Sequence, residues 1–327
     1  MPSFFRSILN PSLYHGKGKT PPFFEGWYYK LVSADERERI AVIPAVFLGE
    51  REHAFIQVVD GVSETMDYHT YPLSDFRSDD RVFDIRIGDS SFNLNGLTLQ
   101  LDSPEGSVEG SVQLHNLSPW PVSLLSPGVM GWYAWVPAME CYHGVLSFDH
   151  SLSGSLAIQG RRINFDGGRG YLEKDWGASF PEGYVWMQTN HFPGGETSLM
   201  ASVAVIPWLG SAFPGFILGL MHQGRLYRLT TYTGAVLEQL EIEEEHVHIT
   251  AASRELRLQI RTTRPKGIPL KGPTKQDMGM RVDESLAAEV QVQLSRKDGK
   301  IIFEGTGLHA GLEVVNSQRL LARVNDR

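Results

Sequence analysis

The chain is 327 residues long, 42% hydrophobic and 21% charged, which describes a folded globular protein and excludes a disordered one. A formal net charge of -8 and a single cysteine exclude the broad basic footprint of a nucleic-acid binder, a disulfide framework and a multi-cysteine zinc site. No apolar run approaches the length of a membrane span, and the residues before Pro21 lack the continuous apolar region of a secretory signal, so a cytoplasmic protein is expected.

The opening residues carry Phe4, Phe5, Ile8 and Leu9, which leave peripheral membrane contact open. Pro21 and Pro22 then impose an extended entry, and Trp27, Tyr29 and Leu31 alternate as in a strand. Residues 40–48 are apolar with Pro44 inside, which predicts a bulged or an edge strand. Residues 55–59 form another short strand. Asn95-Gly96 lies between alternating runs, a strong hairpin cue. A two-residue turn there pairs Leu94 with Leu97 and Phe92 with Leu99, and sets them with Leu101 on one buried face. Residues 82–87 and 108–114 alternate in the same way.

In the second half, residues 216–221, 226–232, 246–250 and 256–262 read as strands. Residues 264–279 read as a long loop and residues 283–290 as a short helix. Val290, Val292 and Leu294 share a face, and the turn at Asp298-Gly299 sets Leu294 opposite Phe303. Many short strands with regular turn signals indicate an all-β protein of two antiparallel β-barrel or sandwich units in tandem with few short helices. The expected units are residues 1–182 and 183–327.

Unusual chemistry concentrates in residues 127–192. They hold Trp132, Trp135, Trp176 and Trp186, the lone Cys141, and His143, His150 and His191. Within them Glu173, Lys174 and Asp175 stand between Tyr171 and Trp176, and charge among aromatics is costly unless it is paired or faces a cavity. On a strand Glu173 and Asp175 face one side, Lys174 and Trp176 the other. Two carboxylates on one face can have their proton affinities driven apart, leaving one as a general acid. An ion-pair network with Lys174 or Arg169 is the structural reading, and the residues alone leave both open. Cys141 reads as a small buried hydrophobe and His143 as the better functional candidate. Gly167-Gly168-Arg169-Gly170 reads as a tight turn, and His246 and His248 as part of a solvated acidic edge. There is no phosphate-binding loop, no GxSxG and no HExxH.

Three blocks, PPFFEGWYYK from Pro21, WYAWVPAMECYHGVLSFDHSLSGSL from Trp132 and GRGYLEKDWGASFPEGYVWMQTNHF ending at Phe192, resemble the tocopherol cyclase-like family. The resemblance implies two lipocalin-like β-barrel units in tandem, similar to carotenoid hydratase-like and Diels–Alderase-like proteins. It also implies an isomerase, free of metal and cofactor, that closes a chromanol ring from a prenylated hydroquinone by protonating the prenyl alkene. About twenty residues precede the first block, too few and too poor in Arg and Ser for a plastid transit segment, which again predicts a cytoplasmic protein.

On that resemblance Asp175 is the first choice of proton donor and Glu173 the competing one, with Tyr142 or His143 receiving the phenolic proton. Trp27, Trp135, Trp176 and Trp186 form a cation-facing wall, and Tyr171 and Asn190 complete the substrate-binding set. Glu25 orients the head group or pairs with Lys174. The expected partner is an apolar small molecule, a prenylated aromatic or other isoprenoid, and no nucleic acid. A hydro-lyase adding water to an isoprenoid alkene and a non-catalytic carrier of apolar ligands remain as alternatives.

Overall fold

Alternating segments of the chain pair into two antiparallel sheets, each with its own apolar core. The computed structural model describes residues 4–104, 106–137, 139–208 and 210–325. The first sheet contains β1 (Phe23–Val32), β2 (Arg39–Leu48), β3 (His53–Asp60), β4 (Thr65–Tyr71), β5 (Phe76–Ser78), β6 (Asp84–Ile87), β7 (Ser90–Asn93), β8 (Gly96–Ser103), β9 (Gly106–His115), β10 (Cys141–Ile158), β11 (Arg161–Asn164) and β12 (Arg169–Gly177). The spatial order is β4-β3-β2-β1-β12-β10-β9-β8-β7-β6-β5, with β11 beside β10. One face encloses Trp27, Tyr29, Ile40, Ile56, Phe92, Leu99, Val112, Leu156 and Leu172.

The second sheet contains β13 (Tyr184–Thr189), β14 (Thr197–Trp208), β15 (Ser211–His222), β16 (Arg225–Thr230), β17 (Val236–Ile242), β18 (His246–Ala252), β19 (Leu256–Thr263), β20 (Ile268–Gly272), β21 (Met280–Arg296) and β22 (Ile301–Val315). Its order is β16-β15-β14-β13-β22-β21-β19-β18-β17, with β20 beside β21. Its core is aliphatic, built on Val203, Leu218, Leu258, Ile260, Val290 and Leu294. Two helices, α1 (Phe4–Ile8) and α2 (Ser317–Asn325), stand near the chain ends. The chain divides into Met1–Phe180 with Leu270–Arg281, and Pro181–Pro269 with Val282–Arg327. The segment 264–279, expected as a loop of the second unit, contains β20, and from Leu270 onward it groups with the first unit. There Lys271 exchanges two hydrogen bonds with the Gln57 side chain, at 2.9 and 3.1 Å.

Four local expectations are corrected. The barrels are not closed: the sheets end at β4 and β5, and at β16 and β17, with no ladder across either gap among the described residues. Short 3-10 turns carry the chain over both gaps, Leu73–Asp75 after Pro72, which has no N–H to donate, and Thr231–Thr233, held by a capping box from Thr230. The hairpin turns at Leu94-Asn95 rather than Asn95-Gly96, so Phe92 pairs with Leu97. The Asn93 side chain accepts the Asn95 N–H and sets this turn, while Gly96 at φ 152° approaches the Val112 carbonyl too closely for any Cβ. The slip is two residues, so Phe92, Leu97, Leu99 and Leu101 keep one buried face. Residues 283–290 are not a helix; they lie in β21, where Val282, Leu286, Val290 and Val292 are buried. Pro44 lies in a central strand, β2, paired on both sides; the ladder to β1 skips it, while Pro44 still faces Ile56 of β3.

Candidate functional site

β12 runs between β1 and β10, and its alternation separates the charges of its central motif. Glu173 and Asp175 project from the face turned away from the core of their unit; Lys174 and Trp176 project inward. Two different polar clusters result.

On the outward face one row runs His143, Asp175, Gly26, Ala45, Phe55 across β10, β12, β1, β2 and β3. His143 stands between two carboxylates: Nδ1 is 2.8 Å from Asp175 Oδ1 and Nε2 is 3.3 Å from Glu173 Oε2. The Tyr171 hydroxyl donates to Glu173 Oε2. Burial alone lowers the proton affinity of His143, but the charges and hydrogen bonds of Asp175 and Glu173 outweigh it and hold the imidazole well above its ordinary range. Burial raises Glu173, against the pull of His143. The Glu173 side chain is 6% exposed and that of Asp175 25%, so Glu173 is the more deeply buried of the two carboxyls. Cys141 lies within 3.9 Å of Asp175, and burial pushes its thiol up, which suits an inert packing residue.

The surroundings of this row are apolar. Phe24, Ala45, Phe47 and Phe55 form a cluster joined by Cys141, Phe180 and Tyr68. Gly26 and Ala45 keep the row low between Asp175 and Phe55: a Cβ on Gly26 meets the Ala45 Cβ at 3.2 Å and otherwise only the Pro44 oxygen at 3.9 Å. The donor atoms of His143, Glu173 and Asp175 lie within 4.8 Å of one another, a spacing that a metal ion accepts. In the geometry present, Nδ1 is hydrogen-bonded to Asp175, while Nε2 lies at ion-pair distance from Glu173 without a hydrogen bond of its own.

On the inward face Lys174 is fully buried and ion-paired to fully buried Glu25. Its ammonium also donates to the Leu13 carbonyl at 2.6 Å and to His15 Nδ1 at 3.1 Å. Accepting there makes His15 a neutral Nε2–H tautomer, which donates to the Ser7 carbonyl at 3.2 Å. Burial and the Lys174 charge both lower the His15 proton affinity, in agreement. The His15 backbone N–H caps both Glu25 oxygens, at 3.0 and 2.8 Å. Trp27 and Trp176 each present a ring to the Lys174 ammonium at 4.8 Å, and His15 stacks on Trp176 at 4.2 Å. Of the two roles expected for Glu25, the contacts are those of the pair with Lys174. The tryptophans expected to face a substrate cation here surround the chain's own cation.

Of the expected site residues, the structure brings together Asp175, Glu173, His143 and Tyr171 on the outward face, and Glu25, Trp27 and Trp176 on the inward one. Tyr142 points inward, stacks on Trp176 at 5.5 Å and gives its hydroxyl to the Val136 carbonyl at 2.7 Å. Trp135 lies in the 3-10 segment Gly128–Trp135, against Phe5 at 5.6 Å. Trp186 and Asn190 belong to the second unit, Trp186 on β13 opposite Glu313 of β22 and Asn190 buried just past the end of β13. Sequence reasoning missed His15 and the phenylalanines Phe24 and Phe55; strand alternation assigns faces within a strand, but nothing local tells which strands stand side by side.

A family description, tocopherol cyclase-like, matches residues 102–316, from β8 to past the end of β22. The chain belongs to the tocopherol cyclase-like family. Its curated relatives include "Tocopherol cyclase, chloroplastic" of Zea mays, 26% identical over 201 residues, and "Probable tocopherol cyclase, chloroplastic" of Oryza sativa subsp. japonica, 27% identical over 195 residues. Each alignment covers 56% of this chain and 41% of the relative, so the chain spans about two fifths of the length of the curated relatives it matches. Among solved structures, CghA with Sch210972 superposes with a TM-score of 0.59 at 11% identity, covering 90% of this chain and 89% of CghA. Kievitone hydratase from Nectria haematococca gives 0.51 at 12% identity, covering 92% and 93%. At such identities the likeness is one of fold, and this member of the tocopherol cyclase-like family shares a tandem all-β, lipocalin-like architecture with them.

Proposed function

We propose that this tocopherol cyclase-like chain is an isomerase that closes a ring by adding a phenolic oxygen across a prenyl double bond. The observation that carries the reading is the buried acid–imidazole–acid cluster Glu173–His143–Asp175 beside an aromatic-lined dip in the sheet. Glu173, whose proton burial retains, protonates the alkene. Positive charge then develops at the tertiary carbon, where the carboxylates and the ring of Phe24, on the neighbouring strand, stabilise it. The phenolic oxygen attacks that carbon, and its proton returns to the cluster through Asp175, the more exposed carboxylate, with His143 between the two acids. No proton is consumed and no electron moves, so product and substrate have the same mass. This reading gives Glu173, the more deeply buried carboxyl, the donor's part for which the sequence reading put Asp175 first.

The test is turnover of a prenylated hydroquinone by the purified protein, with the product mass recorded. Unchanged mass with altered chromatographic mobility is expected, and Glu173→Gln lowers turnover by roughly 10²- to 10⁴-fold, the usual worth of a general acid. A product heavier by one water identifies a hydro-lyase instead. Turnover of the Gln variant within a few-fold of wild type removes Glu173 as the acid.

A further inference from the structure

The first unit carries several exposed apolar side chains that the carboxylate cluster does not use. Residues 116–137 contain no Asp, Glu, Lys, Arg or His, although residues 121–125 are exposed. Within it Ser123, Leu124, Leu125 and Ser126 form a tight turn, closed by backbone bonds between Ser123 and Ser126 at 3.1 and 3.2 Å. The central positions of such turns are the province of Gly, Pro, Asn, Asp and Ser. Here both are leucines, Leu124 63% exposed and Leu125 86% exposed.

Further features lie in the same stretch and on α1. The Trp135 indole N–H donates to the Leu124 carbonyl at 3.0 Å, which fixes the turn against the Gly128–Trp135 segment. Exposed Trp132 stacks on Tyr133 at 4.1 Å, and exposed Phe5 of α1 packs on Trp135. Val122 is exposed beside the turn. Arg6, in the last turn of α1 and exposed, donates to the Arg81 carbonyl at 3.0 Å, so a cation stands near Phe5. Of the residues first considered for membrane contact, Phe5 is therefore the exposed one; Ile8 and Leu9 are half-buried, and the Phe4 side chain lies outside the described residues.

We propose that the Ser123–Ser126 turn, with Phe5, Val122 and Trp132 around it, docks this protein on the interface of a lipid layer. Two adjacent leucines at an exposed turn suit the acyl boundary, Trp and Tyr rings suit the headgroup level, and the stretch brings no charge to be desolvated there. A flat protein partner is the poorer fit, because a stable protein interface takes roughly 1,200–2,000 Å² in total and a single turn tip with its rim offers a point rather than a plane. The docking stands independently of the reaction assigned above. Tyr142 of β10 links the two regions, since its hydroxyl bonds the Val136 carbonyl at the end of the same stretch.

Flotation of the full chain with phosphatidylcholine–phosphatidylglycerol vesicles, without any substrate, tests this. The wild type is expected to float with the vesicles and the Leu124→Ser/Leu125→Ser double variant to partition at least about ten-fold less, with an unchanged melting temperature because both side chains are exposed. Leu125→Glu alone is expected to act in the same direction and guards against a local change of the turn. Equal flotation of wild type and variants, or a wild type that stays with the soluble fraction, overturns the proposal. So does a concentration-dependent dimer that the double variant abolishes while vesicle binding is absent, which identifies a second copy as the occupant.

Discussion

Residue by residue, the two faces of β12 show how the same motif carries two kinds of charge. Glu25 and Lys174 are buried without solvent and satisfied by His15, Leu13 and two tryptophans, the mark of a structural tie. Removing one partner strands the other: Lys174→Met is expected to cost about 3–5 kcal/mol in urea unfolding, and adding Glu25→Gln to recover part of it. Against burial, the Lys174 charge and its hydrogen bond hold Glu25 below its ordinary 4.5, so its contribution is present above that pH and lost as the pH falls through the lowered value. Melting temperature followed downward from neutral pH should therefore fall in the wild type and less steeply in the double variant. The outward carboxyl behaves in the opposite sense. Burial raises Glu173, and the role proposed for it is that of an acid, so kcat is expected to fall as the pH rises through the raised value. A rate that climbs steadily with pH across the neutral range would contradict a protonated Glu173.

The pairing of β12 with β1 and β10 matters more at the next scale than either carboxylate does. The cross-strand row places Gly26 beside Asp175 and Ala45 beside Gly26, so two small residues create the dip next to the acid cluster. Gly26→Val fills that dip, with its Cβ close against Ala45, so the urea midpoint is expected to fall somewhat while kcat/KM per folded molecule drops on the order of 100-fold. Loss of stability with unchanged kinetics would mean that the dip is mere packing. The faces of Glu173, Lys174, Asp175 and Trp176 were readable from period-two alternation, as were the strand at Trp27, Tyr29 and Leu31 and the pairing of Leu294 with Phe303. The hairpin register at Leu94 was not, because an Asx turn at Asn93 and a close approach at Gly96 outcompeted the Asn-Gly cue. Nor was the strand at 283–290, where tertiary burial of Val282, Leu286 and Val290 overrode a weak helical pattern.

At the level of the whole chain, two sheets carry two separate cores, and the acid cluster draws its strands from the first. Leu258→Ala in the second core is expected to destabilise by about 2–5 kcal/mol in denaturant titration, through the cavity it leaves. Turnover per folded molecule at low denaturant should be the same as wild type if that core acts only as scaffold.

All-β architecture, tandem organisation and membership of the tocopherol cyclase-like family were legible in the order of residues, because alternation, turn chemistry and long motifs are local properties. Local pattern also put Glu173 and Asp175 on one face. It left open which carboxyl is buried deeper, that His143 stands between them, and that Trp27 and Trp176 embrace Lys174. Those depend on strands far apart in sequence lying side by side, His143 opposite Asp175 and Trp27 opposite Lys174. Proton affinity follows burial and neighbouring charge, and neither exists until the sheet has formed.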